Sequence, residues 1–181
     1  MLVCLGYIIA FIGALAVMLA LFVWRQGDAD FVFDVANRSA LTLESETPES
    51  VVLTFSIPFI NRGSQQGTLV DVFARPWLPC EQFSAAELST KVTIASNPRN
   101  DGYWEAALFP MDKVDRDVAI ISLRFYTPEC NIRQAVMQVP DIPLNIVYQI
   151  VSRGDWYLSK TLLTIPIEEI TSAMHQGKGE K

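Results

Sequence analysis

The side chains in this chain that could do chemistry are mainly carboxylates, and one group of them shares a short charged segment. Asp112, Asp115 and Asp117 lie within six positions of each other. Carboxylates this close together in a loop can supply oxygen ligands for Ca²⁺. The spacing fits no EF-hand, however, and Lys113 and Arg116 offset part of the charge. We therefore predict a solvated hairpin loop here and no metal site.

A second acidic cluster, Glu44, Glu46 and Glu49, surrounds Pro48 and predicts a flexible acidic loop. The single histidine, His175, lies near the C-terminal end of the sequence. This position does not favour a buried Ser–His or Cys–His pair, and one histidine cannot build a multi-histidine metal site. No glycine-rich phosphate loop occurs. We predict no catalytic residue, no cofactor and no enzymatic activity.

The three cysteines offer one possible crosslink. Cys4 lies in an apolar segment, whereas Cys80 and Cys130 each follow a proline in a predicted loop. In an exported domain these two cysteines could form a disulfide that closes about 50 residues. The alternative is two free thiols, because sequence alone does not reveal proximity.

The overall composition excludes some classes of partner. The chain has 181 residues, a net charge of −6 and 50% hydrophobic residues. Nucleic acid binding requires clustered Lys and Arg, so we predict no nucleic acid partner. The acidic balance also argues against an electrostatic grip on anionic lipids. We expect no small-molecule ligand.

The first 25 residues predict a membrane anchor. From Leu2 to Trp24 no side chain is charged, and a helix of this length can cross a hydrocarbon core of about 30 Å. A cleaved signal peptide would need a basic start and a shorter apolar core. Gly27 and Ala29 leave cleavage open as an alternative. We predict an uncleaved single-pass helix that contacts the bilayer through residues 2–24.

The orientation of this helix rests on weaker signals. Arg25 alone would draw the following segment toward the cytoplasm under the positive-inside tendency. The two loop cysteines and the β character of the remainder favour an exported domain. We predict a cell membrane protein whose C-terminal domain is extracytoplasmic, either periplasmic or extracellular.

Small residues recur along one side of the predicted helix. Gly6, Ala10 and Ala14 are spaced four apart, and Gly13 lies beside them. Such a stripe allows a second helix to approach closely, although Gly and Ala are also common in membrane helices in general. We predict helix packing through this stripe.

The remainder of the chain predicts a mainly β fold. Val51 to Phe59 alternates apolar and polar positions, and Val118 to Tyr126 is apolar on both faces, as in a central strand. Seven or eight such segments separated by turn residues predict an antiparallel immunoglobulin-like β-sandwich. We place an anchor at 1–25, a stalk or linker with a possible first strand at 26–50, the sandwich at 51–170 and a flexible polar tail at 171–181.

One segment carries a resemblance to known families. The stretch from Val51 to Gly63 looks like a strand of an immunoglobulin-like module that ends in an Asn-x-Gly turn. One apolar helix followed by such a sandwich is similar to membrane-anchored late-embryogenesis-abundant type 2 proteins. The resemblance implies a β-sandwich with a non-enzymatic role at a membrane, and no functional residues carry over.

A proline-punctuated connection holds the most unusual residues. Phe73 to Pro79 places apolar side chains where loops are usually polar. This segment either covers the open end of the sandwich or presents Arg75, Trp77 and Leu78 to a partner, since aromatic and Arg residues are frequent interface anchors.

These observations favour a membrane-anchored accessory or scaffold subunit of a cell-envelope complex, with a membrane or envelope protein as partner. The alternative is a domain that handles lipid or another hydrophobic ligand, if strands such as Val118 to Tyr126 line a cavity. A glycosidase-like carboxylate pair is a third hypothesis, for which no two carboxylates can be placed on facing strands.

Overall fold

A computed structural model of the chain describes residues 2–78, 83, 85–98, 107–109 and 117–176, with the backbone alone for 2–4 and 107–109. The helices are α1 (Leu2–Arg25), α2 (Ile132–Val136) and α3 (Ile167–Gln176), with a 3-10 turn at Val35–Asn37. The strands are β1 (Phe31–Phe33), β2 (Thr42–Glu46), β3 (Ser50–Asn61), β4 (Gly67–Pro76), β5 (Glu87–Ile94), β6 (Ala107–Phe109), β7 (Asp117–Tyr126), β8 (Ile142–Val151) and β9 (Tyr157–Ile165).

The strands within these ranges form two antiparallel sheets. Sheet A has the order β1-β3-β7-β5, with β2 also paired to β3, and sheet B has the order β6-β4-β8-β9. The predicted mainly β sandwich after an N-terminal apolar helix is therefore confirmed. The central position predicted for Val118 to Tyr126 is also confirmed, because β7 lies between β3 and β5.

The core lies between the sheets and follows the predicted alternation. The five apolar positions of β3, from Val51 to Phe59, are at most 2% exposed. The two sheets meet through aromatic side chains, since the ring of Phe33 lies 5.0 Å from that of Phe59 and 4.8 Å from that of Tyr148. This contiguous core fixes which face of each strand points to solvent.

Pro58 lies in a central strand, although a proline within a strand pattern usually indicates an edge or a bulge. The carbonyl of Pro58 accepts a hydrogen bond from the N–H of Asp34, 2.8 Å away, on the side opposite β7. On that side β1 has ended and β2 has not begun. The N–H that proline lacks would point into this interruption, so the ladder tolerates Pro58 there.

Two predictions for the polar segments are wrong. Thr42–Glu46 forms strand β2 rather than a loop, because its backbone pairs with Val51–Thr54 even though its side chains are mostly exposed. The tail predicted from residue 171 is helical as far as Gln176, where α3 buries Ala173 and Met174. Residues 177–181 lie outside the described part.

The two ends of the sandwich are formed by different turns and helices. The turns at 61–67 and 152–156 lie at the end where α1 joins, which we call the α1 end. Trp77, α2 and the start of β8 lie at the opposite end, which we call the far end. A strand of ten residues, such as β4 or β8, spans about 33 Å, which separates the two ends.

Candidate partner-binding surface

The segment singled out in the sequence lies at the far end of β4. Arg75 is exposed on the strand, and the N–H of Trp77 donates to the carbonyl of Pro143, 2.8 Å away. The indole of Trp77 is 62% exposed, whereas Leu78 packs against the core. Together with Pro76 these residues line an open groove of about 500 Å³. Leu78 therefore covers the core, and Trp77 remains accessible.

The outer face of sheet B continues from this groove toward the α1 end. Apolar side chains on this face are exposed to an unusual extent, with Leu158 at 62%, Leu162 at 59% and Phe73 at 46%. Strand pairing places them in rows, because Val70, Gln149 and Leu158 align, as do Phe73, Val147 and Lys160. We call this surface the sheet B face, and it consists of Val70, Phe73, Arg75, Asn145, Val147, Gln149, Val151, Leu158, Lys160 and Leu162.

The outer face of sheet A has a different character. An open groove of about 600 Å³ runs across β3, β7 and β5. Hydroxyl side chains such as Thr54, Thr93 and Ser122 dominate its lining, together with Lys91 and Arg124. Apolar exposure is therefore concentrated on sheet B, which makes the sheet B face the stronger candidate for protein contact.

Helix α1 joins the sandwich through a tightly bonded junction rather than a free stalk. The carbonyl of Gln26 accepts hydrogen bonds from the side chains of Ser64 and Gln65. The carbonyls of Asp28 and Asp30 accept from the N–H groups of Ser64 and Arg62, at 3.0 and 2.7 Å. These bonds fix the chain that follows α1 against the β3–β4 turn.

The β8–β9 turn closes the other side of the junction. The N–H of Ala29 donates to Ser152 Oγ at 3.4 Å, and its carbonyl accepts from the hydroxyl of Tyr157 at 2.9 Å. A hydrogen bond from Ser152 also lowers the pKa of Asp28. Ala29 is thus held from both ends of the turn that carries Arg153 and Trp156.

Helix α1 itself extends away from the sandwich, and its side chains from Leu5 to Arg25 are all exposed. The span Leu5–Arg25 is long and apolar enough to cross a membrane, by length and composition. Apart from the adjoining residues and backbone of α1 itself, no described atom lies within 4 Å of where a Cβ on Gly6 or Gly13 would be. The predicted packing stripe of Gly6, Ala10, Gly13 and Ala14 is therefore unoccupied by the described part of the domain and stays a prediction.

The acidic cluster at 44–49 is not a free stalk, because Glu46 and Glu49 both form hydrogen bonds with residues at the far end. Glu46 forms a bidentate ion pair with Arg133 of α2, and Arg133 also donates to the carbonyl of Met174 in α3, 3.1 Å away. The Glu46 carboxylate raises the pKa of Arg133. This pairing could not be predicted from local sequence patterns, since the two residues are 87 positions apart.

A second ion pair ties α3 to the edge of sheet A. Arg38 donates through both terminal nitrogens to the carboxylate of Glu169, and the N–H of Leu41 donates to the same carboxylate at 3.3 Å. The Arg38 guanidinium lowers the pKa of Glu169. It also lies 5.7 Å from the centre of the Phe55 ring. These contacts hold α3 in place, which explains its order beyond residue 171.

The comparisons with known proteins found distant structural similarity. No family model matches the chain, and no curated protein does. Among solved structures, the chain is similar to a yeast GGA1 GAE domain, with 9% identity, a TM-score of 0.31, and coverage of 72% of this chain and 99% of that one. The GAE domain of GGA2p from Saccharomyces cerevisiae has 8% identity, a TM-score of 0.30 and coverage of 71% and 98%.

A pilin subunit gives a similar result. The CooA pilin subunit from enterotoxigenic Escherichia coli has 9% identity and a TM-score of 0.31, with 76% of this chain and 95% of that chain covered. At these identities and TM-scores, none of the three structures informs the function of this chain.

Some of the cysteines and aspartates that could form a disulfide or bind a metal lie outside the described ranges. Cys130 is an exposed free thiol whose Sγ donates to Glu49 Oε1 at 3.5 Å, and this carboxylate raises the thiol's pKa. Cys80 lies outside the described residues, so its pairing with Cys130 stays a prediction. Asp112 and Asp115 also lie outside, while Asp117 accepts from Ser96 Oγ at 2.5 Å. Within the described ranges, no group of three or more His, Cys, Asp or Glu could hold a metal ion.

Proposed function

We propose that this chain is a non-enzymatic, membrane-anchored β-sandwich that serves as an accessory or scaffold subunit of a membrane complex in the cell envelope. In this proposal α1 crosses the bilayer once, and the sandwich binds a second envelope protein through the sheet B face. The observation that carries the proposal is the exposure of Phe73, Leu158 and Leu162 on one continuous surface. Exposed apolar patches of this kind mark interaction sites in folded proteins.

The chemistry of the face defines the partner. Two basic residues, Arg75 and Lys160, interrupt the apolar rows, and the polar Asn145 and Gln149 lie between them. A matching partner surface would be apolar at its centre and would carry carboxylates opposite the two cations. Trp77 extends the same surface at the far end and provides an aromatic anchor.

The ligand-handling alternative receives less support. It requires β7 to line a cavity between the sheets, but Ile121, Leu123 and Phe125 are 0% exposed and belong to one contiguous packed core. Ordinary sandwich packing accounts for a strand that is apolar on its inner face in this way.

The binding proposal is tested with the full-length chain purified in mild detergent, with co-purifying proteins identified by mass spectrometry. We expect a defined membrane or envelope protein with the unchanged chain. Leu162→Lys should reduce its recovery about tenfold or more, because a buried hot-spot side chain contributes more than about 1.4 kcal/mol. Met137→Lys is the matched control, since Met137 is also 59% exposed but lies directly after α2, outside the sheet B face.

The outcomes separate binding from folding. Equal recovery of the partner with both variants would contradict a role for the sheet B face, and a chain that purifies alone would contradict the subunit proposal. Trp77→Ala adds a second comparison. Unchanged thermal stability with lost partner supports the binding role of Trp77, whereas lost stability supports the covering role.

The orientation of the domain has a direct test through Cys130. We expect a membrane-impermeant maleimide to label Cys130 on intact cells, at mildly alkaline pH because Glu49 raises the thiol's pKa. Cys130→Ser serves as the control, because Cys4 and Cys80 are the other thiols. Labelling only after lysis, without reductant, would place the domain in the cytoplasm and overturn the extracytoplasmic proposal.

A further inference from the structure

We propose that the α1 end of the sandwich is a membrane-contact rim, on which Trp156 enters the lipid interface and Arg62 and Arg153 meet phosphate groups of the lipid headgroups. This inference rests on the proposed function in one respect, namely that α1 crosses the bilayer. It adds that the turns of the domain contact the membrane directly. The domain therefore keeps a fixed orientation relative to the bilayer and does not move freely on a linker.

The junction limits how far these turns can be from the bilayer. Ala29 is four positions after Arg25, the last residue of α1, so their Cα atoms are at most about 14 Å apart. The β3–β4 turn is closer still, because Ser64 and Gln65 bond to the carbonyl of Gln26, one residue past the helix. The headgroup region extends about 5–8 Å beyond the hydrocarbon core, so Ala29 and the turns bonded to it lie at its level or at most about 9 Å beyond it.

The position of Trp156 follows from the two bonds to Ala29. Ser152 and Tyr157, which flank the turn, are both hydrogen-bonded to the backbone of Ala29. Trp156 precedes Tyr157 directly, and its indole is 62% exposed. Trp24, in the last turn of α1, is 84% exposed. Amphipathic indole rings are enriched at the level of the headgroups, so both tryptophans have the chemistry of interfacial anchors.

The charges at this end fit a lipid surface better than the rest of the domain does. The chain as a whole has a net charge of −6, which lipid phosphates would repel. In the junction that follows α1 and in the two turns bonded to it, the described charges balance: the cations are Arg25, Arg62 and Arg153, and the anions are Asp28, Asp30 and Asp155. The guanidinium groups can bond to phosphate oxygens while these three segments together remain neutral. The rim therefore suits a zwitterionic bilayer.

The test uses the full-length chain reconstituted into phosphatidylcholine vesicles, with fluorescence as the readout. The chain has four tryptophans, at 24, 77, 104 and 156. Replacing three of them with phenylalanine in turn gives chains that retain only Trp24, only Trp77 or only Trp156. Quenching by phosphatidylcholine brominated near the top of its acyl chains then reports which indole reaches the interface.

We expect quenching and a blue-shifted emission for Trp24 and for Trp156, and neither for Trp77, which lies at the far end. Quenching of Trp24 without Trp156 would overturn the rim and leave the membrane anchor intact. Quenching of Trp77 together with Trp156 would mean that the domain lies on its side, which also overturns the rim. An unquenched Trp24 would overturn both the anchor and the rim.

A second comparison covers the case in which a triple replacement does not fold. Trp156→Phe alone, in the otherwise unchanged chain, should remove part of the quenchable emission. Trp77→Phe should remove only emission that bromolipid does not quench. The reverse pattern would contradict the rim.

Discussion

Replacing Ile121 with alanine is expected to lower the free energy of unfolding by about 3–4 kcal/mol, whereas Ile120→Ala should cost about 1 kcal/mol or less. The two isoleucines are adjacent in β7 but point to opposite faces. Ile121 is 0% exposed and aligns with Phe55 and Val92 in the core. Ile120 is only half-buried and lines the groove on the outer face of sheet A. Urea denaturation of the full-length chain in detergent, followed by circular dichroism, would measure both costs.

The pair distinguishes a packed core from a ligand cavity. In a packed core the truncated side chain leaves a void that its neighbours cannot fill, and the cost of that void adds to the lost burial. If the sandwich instead enclosed space for a lipid, Ile121 would already border a void, and its truncation would add little. Equal costs at the two positions would therefore contradict the packed core and revive the ligand-handling alternative.

The fold was predictable where side-chain patterning is local. Val51 to Phe59 shows its buried face directly, because alternate residues of a strand point to opposite faces and one set is apolar. The uncharged run from Leu2 to Trp24 likewise specifies a helix without reference to any other part of the chain. Both features needed only neighbouring residues to be recognised.

Strand β2 could not be recognised in this way. Its residues, Thr42–Glu46, keep most of their side chains in solvent and belong to the sheet through backbone hydrogen bonds to β3. An edge strand of this kind has no apolar face to show. The helical period of α3 was present in Ile167, Ile170 and Met174, but its length depends on the bonds from Arg38 and Leu41 to Glu169.

Only part of the candidate surface could be predicted from the sequence. Trp77 could be recognised from its neighbours, since a tryptophan between two prolines is unusual in a segment that connects strands. Leu158 and Leu162 did not, because β9 carries apolar residues on both faces and the pattern does not say which face meets the other sheet. Only the pairing of β9 with β8 assigns Leu163 to the core and Leu162 to solvent.

The junction between α1 and the sandwich leads to a second large expected effect. Gly63→Ala should cost about 2 kcal/mol or more, because backbone atoms occupy the space of the new side chain. A Cβ at residue 63 would lie 2.2 Å from the carbonyl oxygen of Asp28 and 2.5 Å from the nitrogen of Asp30. Neither atom can move without breaking the bonds that hold the segment following α1.

Gly154→Ala is the matched control for this substitution. There the added Cβ would lie 2.8 Å from Asp28 Oδ2, the end of a side chain that can rotate away. The chemical change is the same and the position belongs to the same junction, but no backbone blocks it. We expect a cost below about 0.5 kcal/mol, as for an ordinary surface substitution.

Trypsin cleavage after Arg25 measures the effect at the junction itself. Proteolysis of a transiently opened segment follows the population of the open form, so about 2 kcal/mol should raise the cleavage rate about 30-fold. The full-length chain in detergent provides the substrate, and mass spectrometry identifies the fragment that begins at Gln26. Equal rates for Gly63→Ala, Gly154→Ala and the unchanged chain would mean that the junction is open in solution.

A rigid junction between α1 and the sandwich would also favour binding of the proposed partner. A sandwich fixed to its helix presents the sheet B face in one orientation to a membrane partner, so that little orientational freedom remains to be lost on binding. A domain on a loose stalk would lose that freedom each time a complex forms. Gly63→Ala should therefore weaken recovery of the partner although Gly63 lies at the α1 end, outside the sheet B face. Leu162→Lys should weaken it without accelerating cleavage after Arg25.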